Sequence, residues 1–130
     1  MEAAVVAYLR DHALLQPVLR GRIYPLRLPQ NPTFPAVTYQ RVSTTAQTAH
    51  DGPVSLLTTR LQLDVWGERY ADVKYVAELL HLALLGWSGI IGTSKIWITG
   101  QLGEVDLQDP DTQLYRVSMD FAIHHKKTEG

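Results

Sequence analysis

The sequence predicts an α+β domain: an antiparallel sheet of two hairpins, with an N-terminal helix and a long central helix packed on one face. Three observations predict it. Residues 59–66 and 115–124 alternate apolar and polar side chains at the two-residue period of a half-buried strand. Residues 70–85 carry an apolar stripe at three- and four-residue spacing, the mark of an amphipathic helix. Between the extended stretches lie the turn signals Asp51-Gly52-Pro53 and Asp109-Pro110-Asp111-Thr112.

Taken in order, residues 2–15 read as the first helix, because Val5, Leu9 and His12 or Ala13 recur on one side, away from Arg10 and Asp11. Pro17 suits the first turn of a short continuation that Gly21 ends. Ile23-Tyr24 is briefly extended. Pro25, Pro29, Pro32 and Pro35 then crowd one stretch. Each lacks an N–H donor, so this stretch is a loop. Residues 36–45, rich in Val, Thr and Tyr, form a strand, with Val37, Tyr39 and Arg41 on one face. A polar connection over 46–56 leads to the strand 59–66, with Leu61, Leu63 and Val65 inward and Trp66 on the polar side.

The helix over 70–85 buries Val73, Val76, Leu79, Leu80, Ala83 and Leu84, and Gly86 stops it. Residues 86–93 read as a loop. Residues 95–107 read as a strand with an irregularity at Gly100 or Gly103. The last strand has Tyr115, Val117, Met119, Phe121 and Ile123 on one face, and residues 125–130 read as a frayed tail. At 130 residues the chain is one domain, 1–130, large enough to bury its own core.

The composition narrows the function. The 12 basic residues against 13 acidic ones give a formal charge of −1, which disfavours a protein whose main ligand is a phosphate backbone. Without cysteine, thiol catalysis, disulfides and thiolate metal sites are excluded. The N-terminus shows no signal-peptide pattern, and the longest apolar stretch is too short to cross a bilayer. The expectation is a protein soluble in the cytoplasm when made.

No catalytic motif emerges. Ser88 in Gly86-Trp87-Ser88-Gly89 follows a helix, whereas a nucleophile elbow sits between a strand and a helix. No two of His12, His50, His81, His124 and His125 have the spacing that places paired ligands on one helical face. His124 and His125 point to opposite faces of a strand. Glu104, Asp106, Asp109 and Asp111 could together take a divalent cation. They lack the spacing of a dedicated calcium loop, however, and Asp-Pro-Asp is ordinary turn chemistry. No catalytic residue, metal ligand or cofactor is expected. The candidate contact residues are Pro29, Asn31 and Phe34 in the proline-rich loop, Arg41 on the strand 36–45, His50 and Asp51 in the connection 46–56, and the aromatics Trp66, Tyr70 and Trp87.

The run Gly21-Arg-Ile-Tyr-Pro-Leu-Arg-Leu-Pro-Gln30, then Pro35-Ala-Val-Thr-Tyr-Gln-Arg-Val-Ser43, resembles the N-terminal half of phage tail-completion proteins, also called tail terminators or tail-to-head joining proteins. Arg60-Leu-Gln-Leu-Asp-Val-Trp-Gly-Glu-Arg-Tyr-Ala-Asp72, followed by an amphipathic helix, is similar to the centre of that family. The resemblance implies a virion subunit forming a homohexameric ring. The ring caps the tail tube, meets the head connector or head-completion protein, and passes DNA only as cargo. Another neck-region ring, such as a head-completion or tail-tube protein, is the nearest alternative. A small metal-dependent enzyme or ligand-binding domain using the 104–111 carboxylates is the more distant one.

Overall fold

The computed structural model describes residues 1–48, 55–91 and 94–127. The elements run α1 (Glu2–Asp11), α2 (Gln16–Leu19), β1 (Ile23–Pro25), β2 (Ala36–Thr48), β3 (Ser55–Gly67), α3 (Tyr70–Leu84), β4 (Ser88–Ile91), β5 (Ser94–Gln108) and β6 (Tyr115–Lys127). All six strands join one sheet in the order β1-β2-β3-β6-β5-β4. The expected hairpins β2–β3 and β5–β6 are both present, and β3 pairs with β6 to fuse them.

Four expectations need correction. First, the molecule is mostly β, and its sheet is mixed, since Ile23–Pro25 runs parallel to β2. Second, the stretch read as a loop after Gly86 contains β4, whose Ser88–Ile91 pairs with Ser94–Trp97. The β-branched pair Ile90-Ile91 favours that extended backbone. Third, the first helix breaks at His12. A helix continuing through Pro17 would lose that residue's N–H bond and clash with the carbonyl one turn earlier. Fourth, β2 and β3 extend through 46–48 and 55–56, and residues 125–127, expected to fray, continue β6. The Asp51-Gly52-Pro53 turn lies outside the described residues.

The core follows from strand alternation and helical periodicity. Leu61, Leu63 and Val65 of β3 and Val117, Met119, Phe121 and Ile123 of β6 are fully buried on one face of the sheet. Val73, Val76, Leu79, Leu80, Ala83 and Leu84 of α3 pack in the same cluster, together with Val5, Val6 and Leu9 of α1. Burying each such side chain contributes about 1.5–3 kcal/mol. Gly67 lets α3 begin close against the sheet, because a Cβ there would meet Val73 Cγ2 at 2.6 Å. Gly86 ends the helix in a left-handed conformation, φ 78°.

Bulges shape the two outer long strands. The β2–β3 register slips between Arg41 and Ser43, so Val42 stands out of the ladder and is exposed. β5 slips between Ile98 and Gly100 and again between Gln101 and Gly103, so irregularities occur at both suspected glycines. Such bulges bend and twist a strand.

Phe121 is the largest fully buried side chain. Phe121→Ala should lower unfolding free energy by about 3–5 kcal/mol in chemical denaturation. A loss under about 1 kcal/mol would place this residue outside the core.

Candidate interaction surfaces

The outer face of the sheet is a hydrogen-bonded polar layer. The Trp66 indole N–H donates to Thr38 Oγ1 at 3.0 Å, and the Arg116 guanidinium lies 5.0 Å from the Trp66 ring centre. Arg60 Nη2 binds Asp120 Oδ2 at 2.5 Å. The Gln62 amide donates to Asp64, a buried carboxylate, at 3.1 Å. His124 bridges Thr58 Oγ1 (3.0 Å) and Thr99 Oγ1 (2.9 Å) and stacks on Trp97. Among the described residues this face offers polar groups that are mostly hydrogen-bonded to one another, Asp120 Oδ1 being a buried oxygen left without a partner, and no converging catalytic set.

The aromatic contact candidates have work inside the chain. Trp87 stacks on Tyr8 at 4.3 Å between ring centres, and the Tyr8 hydroxyl donates to the Ala83 carbonyl at 2.6 Å. Together they lock α1 to the end of α3. The Tyr70 hydroxyl donates to Asp106 Oδ2 at 2.7 Å, and Lys74 Nζ reaches Asp106 Oδ1 at 3.2 Å and Glu104 at 3.5 Å. The Tyr70 hydrogen bond holds the Asp106 carboxyl below its usual range, with Lys74 adding to the effect. In return the carboxylate raises the Tyr70 and Lys74 values. These groups are exposed, so the network orients β5 against α3 more than it stabilises the fold.

Pro29 and Asn31 are exposed, and Phe34 is half-buried before a cis bond to Pro35. Arg22 closes this loop by donating to the carbonyls of Val18 (2.9 Å) and Pro35 (3.0 Å). Arg41 is exposed and sits 3.5 Å from Glu2. His50 and Asp51 lie outside the described residues. The structure therefore spreads the remaining candidates over separate neighbourhoods instead of gathering them into one patch.

The acidic run is also divided. Glu104 and Asp106 turn to Lys74, while Asp109 Oδ1 accepts the Asp111 N–H at 2.9 Å within the β5–β6 turn. That bond lowers the Asp109 pKa. Among the described residues no group of three or more His, Cys, Asp or Glu side chains converges as a metal site.

Sequence reasoning missed an open groove of about 900 Å³ between the solvent side of α3 and the bulged part of β5. Tyr75, an aromatic on the side of α3 away from its core stripe that lines this groove, was the available signal; Leu82 lies on the same helix outside the groove. Both are exposed, as is Leu102 in the second bulge.

Two outcomes follow from these contacts. Trp87→Ala should cost about 1–3 kcal/mol in thermal or chemical unfolding, through the lost Tyr8 stack. A neutral result would mean that α1 is held by its aliphatic contacts alone. His125, bonded to Thr59 at 3.1 Å, has its pKa pushed down by burial and then by the N-terminal ammonium, with Glu2 opposing. Below about pH 6.5 the unfolded chain takes this proton more readily than the folded one, so stability falls as the solution is acidified. Between about pH 7 and about pH 5 the melting temperature should drop further in wild type than in His125→Gln. Equal drops would remove His125 from the cause.

Against this geometry stand the comparisons with known proteins. No curated protein matches the chain. A chain from the virion of a native gene transfer agent particle shares the fold, with a TM-score of 0.73 at 18% sequence identity, over 97% of this chain and 94% of that one. The profile described as tail completion protein gp17 matches residues 3–126. By that match over nearly its whole length, the chain belongs to the tail completion protein gp17 family.

Proposed function

We propose that this protein is a structural, non-catalytic virion subunit whose copies form a ring at the end of the tail tube and join the tail to the head connector. Family membership over residues 3–126 carries the reading. The fold shared with a chain of a phage-like virion particle agrees with it. Its geometry suits that role: the groove beside α3 is open, the polar groups of the outer sheet face mostly bond to one another, and charged groups pair on the surface instead of converging. Its partners are further copies of itself, most simply six, the tail tube protein and a head-connector or head-completion protein. DNA passes through as cargo. The chain resides in the host cytoplasm before assembly and in the tail or neck of the virion afterwards.

Removing the chain from a particle-producing strain should leave separate heads and tails in electron micrographs. Adding back purified protein should restore joining. Particles that assemble normally without it would overturn this role.

A further inference from the structure

The sheet ends in two incompletely covered strand edges, and the chain's charge is opposite at these two ends. On one side β1 covers only Val37–Tyr39 of β2, so β2 from Gln40 onward has no neighbour there among the described residues. On the other, β4 reaches only Ser94–Trp97 of β5, and the Trp87 carbonyl accepts the Ile98 N–H. From Thr99 to Gln108, β5 has no strand on its outer side among the described residues. Residues 12–48 contain Arg20, Arg22, Arg27 and Arg41 and no acidic residue. Residues 101–114 contain Glu104, Asp106, Asp109 and Asp111 and no basic one.

Each end also carries half of an apolar contact. At the β5 end lies the groove between α3 and β5, with apolar walls from Ala71, Tyr75, Leu85 and Leu102. Lys74 also lines it and pairs with Glu104 at 3.5 Å, which leaves Glu78 as the exposed carboxylate of the groove without a salt bridge among the described residues. At the basic end Leu26 is 72% exposed, next to Arg27. Its backbone is left-handed at φ 66°, a conformation unfavourable for a bulky residue. The Leu26 N–H to the Tyr39 carbonyl (2.9 Å) and the Arg27 N–H to the Pro25 carbonyl (2.7 Å) pin the corner. The fold thus holds a leucine out in water, with an arginine beside it.

We propose that the groove between α3 and β5 receives the Leu26-Arg27 corner of a second copy of this chain, an inference that rests on the ring reading above. Leu26 fills the apolar floor, and Arg27 meets Glu78 at the groove's margin, since Glu104 is engaged by Lys74. The two surfaces differ and lie at opposite ends of one sheet, so the contact is head-to-tail. Repeated contacts of this kind close a ring or extend a filament. The charges set orientation and partner choice, while the buried leucine supplies most of the affinity.

The test uses paired charge reversal, with assembly read by native mass spectrometry of the full chain, alone and on isolated tail tubes. Arg27→Glu and Glu78→Arg alter exposed residues, and circular dichroism checks that each variant folds. Each variant alone should lose multi-copy assembly, because its corner and its groove then carry like charge. An equimolar mixture should regain it, since every corner again faces a groove of opposite sign. Assembly of either variant alone at wild-type level would overturn the groove contact and leave the ring reading standing. Failure of the mixture would overturn the Arg27–Glu78 pairing. A wild-type chain that stays monomeric under both conditions would overturn the ring reading itself.

Discussion

The rest of the structure depends on one-sided burial of the β3–β6 pair against α3. Leu61, Leu63 and Val65 stand opposite Phe121, Met119 and Val117, and all six are removed from water. Because side chains alternate along a strand, committing these residues to the helices commits Gln62, Asp64, Trp66, Asp120 and Ser118 to the other face. A slip of one residue would exchange the faces and bury charge without compensation. That penalty fixes the register, and the register places every surface group discussed above.

The polar face is then obliged to satisfy itself or stay wet. It mostly does the former. Trp66 has Thr38 and Arg116, and His124 has Thr58 and Thr99. A surface so occupied has little left to offer a small ligand. The groups with unused apolar area lie at the sheet's ends and on the far side of α3: Leu26, Tyr75, Leu82 and Leu102. Of these, Leu26, Tyr75 and Leu102 are the ones that the proposed assembly contact would use.

Residues 61–66, 73–84 and 115–123 were legible because each obeys a single period over several turns or pleats. Even the bulges in β5 were visible as glycines. β4 was not, since four residues flanked by glycines at positions 86 and 92 give no period to read. β1 was read as the brief extended piece Ile23-Tyr24, but its parallel pairing with β2 was hidden because three residues pairing across a loop leave no local mark. The contact residues were the least legible. Trp87 and Tyr70 drew notice as aromatics, yet their partners Tyr8 and Asp106 lie 79 and 36 positions away in the chain. Leu26 drew none, because its exposure comes from a backbone conformation that composition does not reveal.

The relative reach of strand and helix carries a last consequence. At about 3.3 Å per residue, the 13 residues of β3 extend roughly 43 Å, while the 15 residues of α3 extend only about 22 Å. A single helix therefore cannot roof the hairpins from end to end. The arm of β2 from Ser43 to Ala46 is exposed and built from serine, threonine and alanine, side chains that tolerate water. Among the described residues it is hydrogen-bonded to β3 along one edge only, so its other edge is open to a neighbour. A neighbour that paired there would meet backbone groups already aligned by the sheet, which lowers the ordering cost of binding.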